Sequence, residues 1–80
     1  MRLYGIIDKR LPGVISTFNA PSDAYAARMI QQLPEESPQR KFSEDFSLYR
    51  LAVIDEDRFE VTKDKEFVTE FGTLFVKEDV

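Results

Sequence analysis

The chain of 80 residues contains no cysteine, no histidine and no tryptophan. The missing cysteines exclude disulfides. Together with the missing histidines they exclude a zinc site built from thiolates or imidazoles. The same absences remove the usual general base and the strongest nucleophile from any catalytic arrangement. Only three glycines occur, Gly5, Gly13 and Gly72, and they are isolated, so there is no glycine-rich phosphate loop. No run approaches the ~18 apolar residues that a membrane span requires. The start, MRLYGIID, carries one basic residue and then Asp8, unlike a secretory leader. These absences lead to the expectation of a soluble, cytoplasmic, non-enzymatic protein with no cofactor and no membrane association.

What is present is a globular composition. Apolar residues make up 42% and aromatic residues 12%, too much for a disordered chain. Residues 1–80 are expected to form one domain, and a domain this small buries only about 60–65% of its unfolded surface. Its core must therefore be wholly aliphatic and aromatic, or be completed by a partner. The net charge of −4 is uneven: residues 1–50 hold seven Lys/Arg against six Asp/Glu, and residues 51–80 hold four against nine. Nucleic-acid binders usually carry a basic excess over the whole domain, so here such binding would need a local patch.

The periodicity reads as follows. RLYGII (2–7) is a strand with Leu3, Gly5 and Ile7 on one face and Tyr4 and Ile6 on the other. DKRLPG (8–13) is a connection, with Asp8 as a cap and a turn at Pro12 and Gly13, and GVISTF (13–18) returns as an antiparallel strand. Ser22 is the expected N-cap of a helix whose Ala26, Met29, Ile30 and Leu33 share one face, with Asp23 placed to suit the helix dipole. Pro34 ends it, and EESPQRK (35–41) is a polar loop. FSLYRLAVI (46–54) is the longest strand, DED (55–57) a hairpin turn, RFEV (58–61) a returning strand with Phe59 and Val61 on one face, and TKDK (62–65) a second turn. EFVTEFGTLFV (66–76) fits both a helical stripe and a strand; Gly72 and the threonines favour a strand followed by a short helical turn. The fold class is thus α+β: a small antiparallel sheet of four to five strands in the order β-β-α-β-β-β, with one helix on one face.

Strand 46–54 is apolar on both sides, with Phe46, Leu48, Ala52 and Ile54 opposed to Tyr49, Leu51 and Val53. One short helix covers one face only. Either the terminal segment 66–76 folds across the other face, or a second molecule covers it, which implies a homodimer or a partner surface at Tyr4, Tyr49, Leu51 and Val53. The candidate cations for nucleic acid are Arg2, Lys9, Arg10, Arg40, Lys41 and Arg50; cations following a backbone beside aromatic rings are the pattern that binds single strands. The alternative is that Arg2 and Arg50 are ordinary solvent-facing neighbours and both Tyr4 and Tyr49 are core. Asp55, Glu56, Asp57 and Glu60 are crowded enough for a hard cation, but their spacing matches no calcium loop, and no metal is expected.

Three segments in order, MRLYGIIDKR, DAYAARMIQQL and FSEDFSLYRLAVIDED, resemble the small nonstructural protein of gokushovirus-type phages, tailless single-stranded DNA phages of the microvirus group. Phe42, Glu44, Asp45, Phe46, Leu48, Tyr49, Leu51 and Asp55 match that family's central block, whereas Ser43, Ala52 and Ile54 stand where proline, glycine and an aromatic are usual. The resemblance covers residues 1 to 57. It implies a non-capsid protein made in the cytoplasm of the infected bacterium, likened to the microvirus DNA packaging protein. Two modes of action follow as expectations: an accessory of viral genome replication or of the switch to single-stranded DNA packaging that contacts DNA, or a protein-interaction module engaging a replication protein or procapsid without nucleic-acid contact.

Overall fold

The computed structural model describes residues 1–10 and 13–75, apart from the side chain of Ile15. Four strands, β1 (Arg2–Asp8), β2 (Val14–Ala20), β3 (Phe46–Asp55) and β4 (Glu60–Glu70), form one antiparallel sheet in the spatial order β2-β1-β3-β4. The helix α1 (Asp23–Gln31) follows β2. Two single turns of helix, α2 (Pro38–Lys41) and α3 (Phe71–Leu74), and a 3-10 turn at Ser43–Asp45 complete the α layer. Among the described residues no helix is long and apolar enough to cross a membrane. The α+β class, the antiparallel sheet and the single substantial helix are those expected from the sequence.

Helix α1 begins where its cap demands. The Ser22 hydroxyl accepts the Tyr25 N–H at 3.1 Å, satisfying a donor that the first turn leaves without an intrahelical partner. Ala26 and Ile30 then point into the sheet, where they join Tyr4, Ile6, Ala20, Phe46, Leu48 and Phe71 in one buried cluster. Leu33 packs against its margin, while Met29 stays outside the cluster and is 37% exposed. Helix α3 docks on this same side, with the Phe71 ring 5.9 Å from Phe46. Residues 66–70 of the terminal segment are part of β4 and residues 71–75 reinforce the helix-bearing face, so no described part of the segment crosses the other face; Val76 lies outside the described residues, as does Pro12 of the expected first turn.

Several local expectations are revised. Residues 60–61 and 66–70 belong to one continuous strand, Glu60–Glu70, and TKDK lies inside it, whereas residues 58 and 59 belong to the turn before it. Two irregularities in the β3–β4 ladder, at Leu48/Tyr49 and at Arg50/Ala52, absorb the extra residues that a turn would otherwise have used. The hairpin connection is Glu56–Phe59, one residue later than DED. Phe59 is not on a strand face: it is the one non-glycine residue with positive φ (54°) among those described, and 91% of it is exposed. Asp55 organises this turn, its Oδ1 accepting the N–H groups of Asp57 and Arg58 at 3.1 and 3.3 Å. The loop 35–41 contains the α2 turn, which starts at Pro38, a favoured first helical residue.

The bulge at Leu51 has a larger consequence. β1 faces β3 as Tyr4↔Arg50 and then Leu3↔Ala52, so Leu51 is an extra residue and the alternation of β3 inverts after it. Val53 now stands opposite Arg2, on the helix-bearing side, and not with Tyr49 and Leu51 as strict alternation suggested. Ala52 and Ile54 move to the open side in its place.

Removing buried volume from the helix side should be costly. Leu48 and Phe71 are both fully buried; urea unfolding of Leu48→Ala is expected to show a loss of about 2–5 kcal/mol, and Phe71→Ala about 3–5 kcal/mol. A Phe71→Ala variant as stable as the parent would contradict the docking of α3 on this face.

Candidate functional site

The open face of the sheet is built by period-two alternation from all four strands. The ladder pairs Gly5 with Tyr49, Tyr49 with Phe67, and Ile7 with Val14, and directly opposed residues share a side. The Tyr49 and Phe67 rings meet edge to face with centroids 5.6 Å apart. Beside them a shallow cleft of about 320 Å³ is lined by Ile7, Gly13, Val14, Tyr49, Leu51 and Lys65. Gly5 makes its floor: a Cβ there would stand 2.7 Å from Leu51 Cδ1 and 3.3 Å from Val14 Cγ1, so the missing side chain lets Leu51 lie across β1. Phe67 (52% exposed) and Val61 carry this apolar surface to the edge of the sheet.

Charge is sorted between the two faces by the same alternation. In β4 the run E-V-T-K-D-K-E-F places Val61, Lys63, Lys65 and Phe67 on one side and Glu60, Asp64 and Glu66 on the other. Asp64 reaches Arg50 on the helix side, and Lys65 lines the open cleft, which fixes the two sides. The open face therefore presents two lysines and two aromatic rings, with the carboxylates of this strand's central run turned away. Among the described residues no three carboxylates gather where they could hold a metal ion.

The six cations singled out in the sequence do not form one patch. Arg50 bonds Asp64 through Nε and Asp23 Oδ2 through Nη1 at 2.9 Å, and Arg2 lies 3.6 Å from Asp23 Oδ1, so both serve the helix side. Lys9 pairs with Glu70 at 2.8 Å, and Arg10 lies 3.5 Å from Asp45. Only Arg40 and Lys41 share a cavity. It measures about 660 Å³ between α1, α2 and α3, away from the open face, and Gln31, Glu35 and Phe75 also line it. There Arg40 donates to the Leu33 carbonyl at 2.9 Å and lies over the Phe75 ring at 5.0 Å. Of the four proposed contact residues, Tyr49 and Leu51 lie on the open face. Val53 does not, because of the bulge. Tyr4 is fully buried under α1, because its even position in β1 faces the helix.

Asp23 is the electrostatic hub of the covered side. Its Oδ1 accepts the Tyr4 hydroxyl at 2.6 Å while Arg50 and Arg2 flank it. Burial pushes the Asp23 carboxyl upward, but the Tyr4 hydrogen bond and the two guanidinium groups outweigh that and hold it below its ordinary value. Burial, then the bond to Asp23, raises the Tyr4 hydroxyl, and Asp64 followed by Asp23 keeps Arg50 charged despite its partial desolvation. Lys9, helped by the Ser47 hydroxyl at 2.9 Å, lowers the Glu70 carboxyl against the effect of burial. Sequence reading places Asp23 at the helix dipole and misses this role, because its partners come from β1 and β3. It also overlooked Lys63 and Lys65, although their strict alternation with carboxylates was visible.

Residues 1–74 match the family model described as Phage ORF5 protein. No curated protein and no solved structure matches the chain.

The Asp23 and Glu70 shifts fix the sign of an acid limb. A carboxyl held low in the folded state contributes stability above its unfolded value, which is lost as pH falls through the folded one. Thermal melts followed by circular dichroism are expected to give a Tm that drops as pH falls below the ordinary carboxyl values of 3.8 and 4.5. Asp23→Asn should start from a lower Tm and fall less steeply. An unchanged acid limb in Asp23→Asn would remove Asp23 from this role.

Proposed function

Since the chain belongs to the Phage ORF5 protein family, we propose that it is a non-enzymatic phage accessory protein that binds single-stranded DNA on the open face of its sheet. The observation that carries this reading is the sorting of β4, which puts Lys63 and Lys65 on the same side as the Tyr49 and Phe67 rings, Lys65 in the cleft with Tyr49, and turns Glu60, Asp64 and Glu66 away. Stacking platforms flanked by cations accept single strands without reading sequence: bases lie on the rings, and lysines neutralise phosphates. A binding role of this local kind is compatible with a net charge of −4, because Glu60, Asp64 and Glu66 of β4 face the covered side and Glu70, at the end of the strand, is paired with Lys9. The resemblance of residues 1–57 to gokushovirus nonstructural proteins supports a place in viral genome replication, or in the switch from DNA synthesis to single-strand packaging, within the infected bacterial cell.

The DNA contact thus moves from the six cations first considered to a different pair. Arg2, Lys9, Arg10 and Arg50 are engaged by carboxylates of the chain itself. A second reading is favoured by Val14 and Val61, half or more exposed on the same face, since aliphatic groups serve a protein surface better than a nucleobase. In that reading the open face engages a replication protein or the procapsid.

Fluorescence anisotropy of a labelled oligodeoxynucleotide against salt separates the two. Binding is expected at low salt, with a log–log slope that shrinks by about 1.4 in Lys63→Ala/Lys65→Ala, the share of two phosphates on a single strand. Phe67→Ala should weaken binding by the loss of one stacked base, about 1–3 kcal/mol. Arg40→Ala/Lys41→Ala, on the far side, should change neither. No saturable binding at low salt would overturn the DNA reading and leave the protein-interaction one.

A further inference from the structure

We propose that two copies of the chain pair along the outer edge of β2, giving one continuous antiparallel sheet of eight strands, four from each copy, with the two α1 helices side by side. β2 is an edge strand among the described residues, so every second backbone N–H and C=O along it points away from β1 with no described strand to receive it. The two edges of this sheet are built differently. β4 carries Lys63, Asp64, Lys65 and Glu66 and two ladder irregularities, the devices that keep an edge from recruiting another strand. β2, VISTFNA, has neither a charged residue nor a proline, and its ladder runs without irregularity from Ser16 to Ala20.

The helix above β2 provides an independent observation. On α1 the buried face is Ala26 and Ile30, and one flank is fixed by Asp23, which reaches Arg50, and by Gln31, whose Nε2 donates to the Leu74 carbonyl at 3.5 Å. At 100° per residue, Tyr25 and Met29 fall on the opposite flank, the one toward β2. Both are large apolar side chains left partly open, 49% and 37% exposed. Together with the half-buried Phe18, which stacks on Tyr4 at 5.7 Å, they make an apolar shoulder along the uncharged edge. The occupant that fits is a second copy of the same chain. A two-fold axis through the β2 edge sets neutral strand against neutral strand and Tyr25 and Met29 against their equivalents. The same axis joins the two open faces into one, so that the Lys63 and Lys65 pairs stand at both ends of a doubled platform. The dimer itself rests on the β2 edge and holds whether or not DNA occupies the open face.

Sedimentation equilibrium without nucleic acid tests it. A short strand edge and two large side chains per copy place the contact at the weak end of specific interfaces, so half-dimerisation is expected on the order of 10–100 µM. Thr17→Lys/Asn19→Lys, which gives β2 the charge pattern of β4, and separately Met29→Lys should each weaken it tenfold or more. Circular dichroism should be unchanged, because all three positions are exposed. Spin labels add geometry that folding defects cannot mimic, since a chain without cysteine accepts a single engineered one. Thr17→Cys labels should give a short inter-copy distance. Thr62→Cys labels on β4 should lie far apart, seven strand spacings or about 34 Å between backbones. A monomer at all concentrations up to 1 mM, or a dimer with the shorter distance at position 62, overturns the proposal.

Discussion

A nine-residue helix is too small to shelter a four-stranded sheet on both sides. At 1.5 Å per residue it is about 14 Å long and about 10 Å wide, against a sheet roughly 19 Å across at the usual strand spacing. Everything else in the fold follows from how that shortage is distributed. The helix, two short helical turns and the buried cluster around Tyr4, Leu48 and Phe71 are concentrated on one face. The opposite face keeps its apolar and aromatic side chains and receives no cover from the described residues.

The covered face carries the ionic side chains that such a layered contact tolerates. Asp23 at the helix start joins Tyr4 of β1 and Arg50 of β3, and Arg50 in turn holds Asp64 of β4. One carboxylate thus ties the helix to two strands and, through Arg50, to the edge. Every buried side-chain polar atom among the described residues has a hydrogen-bond partner, which is what a small core with little spare stability requires. The cations that belong to this network, Arg2 and Arg50, are structural for that reason, and the open face is left with Lys63 and Lys65 as its charges of functional interest.

Much of this was legible in the residues. The α+β class, the antiparallel first hairpin, the Ser22 cap and the long central strand all rest on short-range chemistry: β-branched runs, a capping hydroxyl, and the 3.6- and 2-residue periods. The shortage of cover was also legible, because it follows from counting apolar positions against one helix. The misreadings have a common origin. TKDK suggests a turn because four polar residues interrupt apolar ones, yet in an edge strand polar residues are at home and period-two alternation of sign is itself a strand signal. Phe59 suggests a strand position because it is aromatic, yet the hairpin has one residue in the left-handed region there and Phe59 occupies it.

The sequence by itself determined the first hairpin, the long central strand, where the helix starts, and that one helix could cover only one sheet face, because each depends on residues close together in the chain. The tertiary structure alone decided which side chains share that face. A single extra residue at Leu51 inverts the alternation of β3, sending Val53 to the covered side and Ala52 and Ile54 to the open one. It also decided that Asp23 would gather Tyr4, Arg2 and Arg50. Bulges and ion-pair hubs are settled by the register between strands distant in the chain, and no local pattern encodes that register.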